Sequence, residues 1–184
     1  MDYLFAPDRR ETDAFVLRSY RPGDGAALAA SLNASYEHLR SFLPWAQPET
    51  SERAAEQRAR YFRAKWLLAT DFVIAVESTD GGTILGGCGY HLRDGGLATQ
   101  SAEIGMWIRA DAAGCGLGTH VLVELLRWGF DEWPWQRLTW KCSRQNTASI
   151  RIAEKAGMTH EEASGDTFCF AARRAAWSVP QGSA

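Results

Sequence analysis

The chain has 184 residues with 20 Lys and Arg against 22 Asp and Glu, a net charge of −2, and is 46% apolar and 23% charged. That balance suits one globular domain over residues 1–184 with a sizeable core, and the absence of any Lys/Arg run argues against a nucleic-acid partner. Residues 1–10 lack the cationic region and apolar core of a signal peptide, and no segment reaches the length of a membrane span, so a cytoplasmic chain with no membrane partner is expected.

In chain order, residues 1–14 read as loosely held and residues 178–184 as a tail. Phe15–Tyr20 is a first strand, and Asp24 is placed to N-cap an Ala/Leu-rich helix running to about Asn33. A short helix over 35–46 ends at Pro44. Thr50 or Ser51 caps a long charged helix to about Leu68, in which Glu56 and Arg60 are spaced for an i,i+4 ion pair. Phe72–Glu77 and Ile84–Leu92 read as a hairpin, with Gly86, Gly87 and Gly89 marking a close backbone approach or a bulge. Asp94-Gly-Gly96 breaks the chain before a strand at Glu103–Ile108, where Ile104, Met106 and Ile108 alternate with their neighbours. A helix at Thr119–Phe130, a turn at Trp133-Pro-Trp135 and a strand at Arg137–Cys142 follow. Because a helix separates them, the strands at 103–108 and 137–142 should be parallel neighbours through a right-handed crossover. The chain closes with a helix from Asn146 to Ala156, stopped by Gly157, and a hairpin of Thr159–Ala163 and Thr167–Arg173. The sum is a mixed α/β sheet with helices on both faces and no linker. Cysteines at 88, 115, 142 and 169 form no C-x-x-C pair, which fits thiols in a reducing compartment and gives no metal site.

Chemistry concentrates at Gly114-Cys115-Gly116-Leu117-Gly118-Thr119, between a strand and a helix. A glycine turn opening a helix aims several backbone N–H groups at one point, with the positive end of the helix dipole behind them, which is a site for phosphate. The spacing is neither G-x-G-x-x-G nor a P-loop, and the P-loop lysine is absent. It resembles motif A of the GNAT acetyltransferase superfamily, [Q/R]-x-x-G-x-[G/A], with Ala113, Gly116 and Gly118 at its defining positions. Ala113 departs from the usual Gln or Arg, so one side-chain contact should be missing. After the next strand, Asn146-Thr-Ala-Ser149-Ile-Arg-Ile-Ala-Glu154-Lys155-Ala-Gly157-Met158 is similar to that superfamily's motif B, N-x-x-[A/S] to E-K-x-G-F. Ser149, Ala153 in place of a common tyrosine, and the upstream His38-Leu-Arg-Ser-Phe-Leu-Pro44-Trp45 resemble the RimJ/RimL branch, so the likeness covers about Phe15 to Trp177.

The resemblance implies a GNAT fold, a mostly antiparallel sheet of about seven strands with a central parallel pair that splays apart. It implies acetyl-CoA as cosubstrate, no metal, and acetyl transfer to a primary amine by direct attack on the thioester. Met106, Trp107 and Ile108 would pair through their backbone with the pantetheine arm. Ala113, Gly114, Cys115, Gly116, Leu117, Gly118 and Thr119 would surround the pyrophosphate, and Asn146 and Ser149 would contact the arm and the thioester. An α-amine ionises near ~8 and a lysine near ~10.4, so a base is required. Glu103 is the candidate base and Ser149 the candidate acid or water-positioner, with His91 an alternative base. The acceptor expected is the N-terminal α-amine of a protein or peptide. A small amine (aminoglycoside, polyamine or amino-acid-like toxin) and a non-catalytic CoA-sensing module stay open, as does a homodimer. Residues 35–50, with Trp45 and Glu49, are the expected acceptor wall.

Overall fold

The computed structural model describes residues 4–180, and within them eight strands and four α-helices form. The strands are β1 (Arg9–Glu11), β2 (Val16–Ser19), β3 (Phe72–Glu77), β4 (Ile84–Gly96), β5 (Ser101–Ile108), β6 (Arg137–Ser143), β7 (Thr159–Ser164) and β8 (Thr167–Arg173). The helices are α1 (Gly25–Leu39), α2 (Glu52–Leu67), α3 (Leu117–Asp131) and α4 (Thr147–Lys155), with a 3-10 turn at Ala110–Ala112. Hydrogen bonds join the strands in the order β1-β2-β3-β4-β5-β6-β8-β7. β5 and β6 are parallel, and the pairs β1–β2, β2–β3, β6–β8 and β7–β8 are antiparallel. The eighth strand is β1, which lies in the segment expected to be loose. Arg9 pairs with Arg18 and Glu11 with Val16, so 9–11 is held by the sheet edge, whereas residues 1–3 and 181–184 of the expected loose ends lie outside the described residues.

The residues cluster into two compact units. The first comprises Met1–Gly89 and Met106–Ala113. Its core is Tyr20, Leu28, Leu32, Leu39, Ala55, Ala59, Ala75 and Ile84, where two fully buried alanines let α2 lie close against α1. Here α1 corrects the sequence reading, for it runs unbroken to Leu39 and the expected helix over 35–46 does not form separately. Asn33 does not stop the helix because its amide is engaged elsewhere: it donates to the Thr50 carbonyl (3.0 Å) and accepts from the Thr50 N–H (2.7 Å). Asp24 occupies the N-cap position without a side-chain cap. Its carboxylate instead accepts from Arg18 at 2.8 and 2.9 Å, and Arg18 also donates to Glu77 at 2.6 and 2.8 Å. Burial alone would lower the Arg18 pKa, but the bonds to Glu77 and Asp24 raise it overall. α2 behaves as read, with the Ser51 hydroxyl accepting from the Ala54 N–H and Arg60 donating to Glu56 at 2.7 Å.

The second unit comprises Tyr90–Gly105 and Gly114–Ala184. Asp94-Gly-Gly96 does not break the chain as expected. It ends the 13-residue β4, with Gly95 and Gly96 at positive φ. Aromatic residues make the core: Trp128, Trp133 and Trp135 surround Tyr90 at centroid distances of 5.0–6.5 Å, and the Tyr90 hydroxyl donates to the Leu125 carbonyl at 2.6 Å. Each such ring pair is worth roughly 0.5–1.5 kcal/mol beyond its area burial. The β5–β6 ladder runs from Ser101↔Arg137 to Ile104↔Trp140, after which β6 goes on to Ser143 paired with β8. Gly105 is thus the first residue of β5 past its last pair with β6.

Candidate active site

The entrance of α3 is built by two glycines. Gly116 is the N-cap at φ 92°, Gly114 sits at φ 81°, and a Cβ at either would meet no heavy atom within 4 Å. An L side chain rarely adopts this backbone, and no side chain caps the helix. The helical ladder opens with the His120 N–H donating to the Gly116 carbonyl at 3.1 Å, so the N–H groups of Leu117, Gly118 and Thr119 precede it. Open space, uncapped donors and the positive end of a 15-residue dipole together suit a phosphate. Cys115 is exposed on this turn, and Ala113 closes the 3-10 turn in extended conformation and supplies no polar side chain.

Asn146 and Ser149 lie together in the second unit. The Asn146 carbonyl oxygen caps α4, accepting from the Ser149 N–H at 3.0 Å, so this side chain has a structural task. The Ser149 hydroxyl accepts from the Trp140 indole N–H at 3.0 Å. Burial pushes the neighbouring Cys142 thiol up, opposed by hydrogen bonds with Ser149 and Trp140.

Glu103 is buried at 7% exposure on β5, opposite Thr139 of β6. One carboxylate oxygen accepts from Arg93 and the other pairs with Lys141 Nζ at 3.0 Å. It is therefore not a solvated strand-end residue. His91 stands two residues before Arg93 on β4, on the same face. Its Nε2 would lie 2.8 Å and its Cδ2 3.0 Å from a Cβ at Gly105, so the glycine is what lets the imidazole rest on β5.

In the first unit, Met106, Trp107 and Ile108 continue β5 beyond Gly105. The glycines of β4 give them room: a Cβ at Gly86 would stand 2.4 Å from the Trp107 carbonyl oxygen, and one at Gly87 2.4 Å from its indole nitrogen. Close approach, rather than a bulge, accounts for that glycine run. Trp45, 41% exposed, packs edge-on against Trp107 with centroids 6.5 Å apart, and Arg58 lies 5.7 Å over the Trp45 ring. A shallow space beside Trp45 is lined by Leu32, Leu39, Gln47, Thr50 and Arg58 and holds no carboxylate among its described walls.

The sequence over residues 15–159 matches the acetyltransferase (GNAT) domain family. The chain belongs to the GNAT acetyltransferase family. No curated protein sequence matches at a significant level. Among solved structures, the GNAT domain resembles Mycobacterium smegmatis RimJ in complex with CoA-disulfide, at 21% identity and TM-score 0.72, over 86% of this chain and 81% of that one. It resembles the Vibrio fischeri ribosomal-protein-S5-alanine acetyltransferase at 14% identity and TM-score 0.77, over 94% and 100%. It also resembles the microcin C7 self-immunity acetyltransferase MccE, in complex with acetyl-CoA and AMP, at 17% identity and TM-score 0.76, over 88% and 93%. At these identities the likeness speaks to the fold.

Sequence reading missed three residues around the candidate site residues: Arg93 and Lys141, which hold Glu103, and Trp140, which holds Ser149. Arg93 and His91 share a strand parity that was legible. Lys141 could be assigned only with the β5–β6 register in hand, because Glu103 faces Thr139 and Lys141 is two residues on.

Proposed function

We propose that this GNAT domain transfers the acetyl group of acetyl-CoA to the N-terminal α-amine of a protein or peptide. The observation that carries the cosubstrate is the α3 entrance, where left-handed Gly114 and Gly116 leave open space in front of uncapped N–H groups. Those groups, from Gly114 to Thr119, would hold the pyrophosphate, and the backbone of Met106, Trp107 and Ile108 the pantetheine arm. Ser149, fixed by Trp140, would orient the thioester, and the α4 cap made by Asn146 keeps Ser149 in place. Bound acetyl-CoA supplies an activated acyl carbon with a thiolate leaving group. An α-amine acceptor is favoured over a polycation because the cation Arg58 lies over the Trp45 ring of the segment read as the acceptor wall.

Calorimetric titration of acetyl-CoA, followed by thiol release with peptides beginning Ala, Ser or Met and with small amines, tests both halves. Micromolar or tighter binding with thiol release on peptides is the expected result. Release only on small amines would replace the acceptor, and binding without release from any amine would favour a sensing module. Gly116→Val is the matched control: a β-branched residue at positive φ costs about 1–3 kcal/mol and fills the open space, so a protein that still folds should lose acetyl-CoA binding. Unchanged binding by that variant would remove the α3 entrance from the site.

A further inference from the structure

The half-buried cations of α2 do not all find carboxylates. Lys65 pairs with Asp71 at 3.2 Å, and Arg63 reaches Asp8 at 3.5 Å and the Ser19 hydroxyl at 2.7 Å. Arg58 is half-buried too, yet among the described residues no carboxylate lies within ion-pair distance of it. Its guanidinium lies instead 5.7 Å over the Trp45 ring. An indole face attracts a cation without neutralising it, so the positive charge stays available. The same arginine lines the shallow space beside Trp45, where Leu32, Leu39 and Ala46 supply apolar walls and Gln47 an uncharged amide. Glu49 is exposed and is not among the residues lining it. Two contacts, both inside the first unit, tie this space to the end of β5. Trp45 meets Trp107 edge-on at 6.5 Å. Ser35, one turn along α1 from Leu32 and from Leu39, accepts from the Ala110 N–H at 3.1 Å.

We infer that Arg58 is a specificity residue, selecting acceptor peptides that carry an Asp or Glu side chain at one fixed place close behind the N-terminal amine. The inference rests on the peptide-acetylation reading above, including the placement of the pantetheine arm along Met106, Trp107 and Ile108. A peptide whose amine reaches a thioester there lays its next residues over adjoining surface, and the space beside Trp45 adjoins that stretch through Trp107. A carboxylate seated on the guanidinium gains charge-assisted hydrogen bonds in a fork geometry that matches its two oxygens. The Trp45 ring already restricts the guanidinium, so less side-chain freedom is lost when the acid arrives. The apolar walls accept the methylenes of an acidic side chain, whereas a Lys or Arg at the same place meets a like charge.

The test is thiol release by the full chain with C-terminally amidated peptides that begin with Ala and carry Glu, Gln or Lys as the second, third or fourth residue. With the wild-type protein, Glu at one of these places should lower KM about fivefold or more against Gln, and Lys there should raise it, with kcat for the three within about twofold. The preference should shrink from about 0.05 to about 0.5 M salt. Arg58→Gln should bring the KM values for Glu and Gln together, and Arg58→Glu should turn the preference towards Lys, with the calorimetric Kd for acetyl-CoA within a factor of two of wild type in each. Equal KM values for all peptides, or a Glu preference that survives in folded Arg58→Gln, would overturn the inference. So would an equal Glu preference at every place, the mark of a diffuse field rather than one fixed cation; this comparison needs only the wild-type protein and serves if a variant fails to fold. Any of these results, obtained on a protein that acetylates peptides, leaves the acetyl-transfer reading standing. Thiol release on small amines and on no peptide would overturn both.

Discussion

At the scale of single residues, side chains in this site are held by neighbours that motif spacing does not reveal. Ser149 reads from sequence as a helix-start hydroxyl, and such residues usually cap. Here Asn146 does the capping, and Ser149 is left to accept from the Trp140 indole. A serine hydroxyl is a weak acid, so the role proposed for it is orientation of the thioester. Ser149→Ala should therefore lower kcat by less than about tenfold, while leaving the indole N–H of Trp140 without this acceptor costs roughly 1–3 kcal/mol of stability. Steady-state kinetics beside denaturant melts check the two together. A hundredfold loss of kcat at unchanged stability would instead make the hydroxyl a proton donor.

At the scale of elements, local patterns were legible and long-range bonds were not. α2 could be bounded in advance because Ser51 caps it, and the Glu56–Arg60 spacing is a property of any helix. The second task of Glu56 could not be foreseen: its carboxylate accepts from the Gly23 N–H at 3.0 and 3.1 Å and from the Gly25 N–H at 3.1 Å, closing the start of α1 where Asp24 has been drawn away by Arg18. The Arg60 guanidinium, then the Gly23 and Gly25 N–H groups, hold the Glu56 carboxyl below its ordinary value of 4.5. A carboxyl depressed in the folded state adds stability that is fully present above its unfolded pKa and is lost as pH falls through the folded one. Glu56→Gln should thus lower Tm at pH 6–7, and its deficit against wild type should shrink on acidification below 4.5. Thermal melts at several pH values check this. A deficit independent of pH would place the cost in geometry rather than charge.

For the whole molecule, the two glycine-bearing motifs sufficed for the fold family because they report backbone requirements. Gly116 is needed for its left-handed conformation and the Asn146-to-Gly157 run frames a short capped helix, and both are read directly from residue type. The acceptor is a different matter, since it is recognised by side chains that meet only through folding. Trp45 and Trp107 are 62 residues apart in the chain and touch edge-on, with Arg58 over the first ring. Segment 35–50 was expected to be a wall from its own residues, but its partner on β5 was not readable. Trp107 lies in the stretch whose backbone is proposed to hold the pantetheine arm, and the aromatic contact ties Trp45 to that strand. Trp45→Ala removes that exposed face. It should raise the KM for a peptide acceptor by about tenfold, the loss of one exposed aromatic anchor, while the calorimetric Kd for acetyl-CoA stays within a factor of two. Peptides with a large apolar first or second residue should suffer most, because an indole contributes through contact area. If instead acetyl-CoA binding weakens and acceptor KM holds, Trp45 supports β5 through Trp107, and the acceptor must be recognised elsewhere on the molecule.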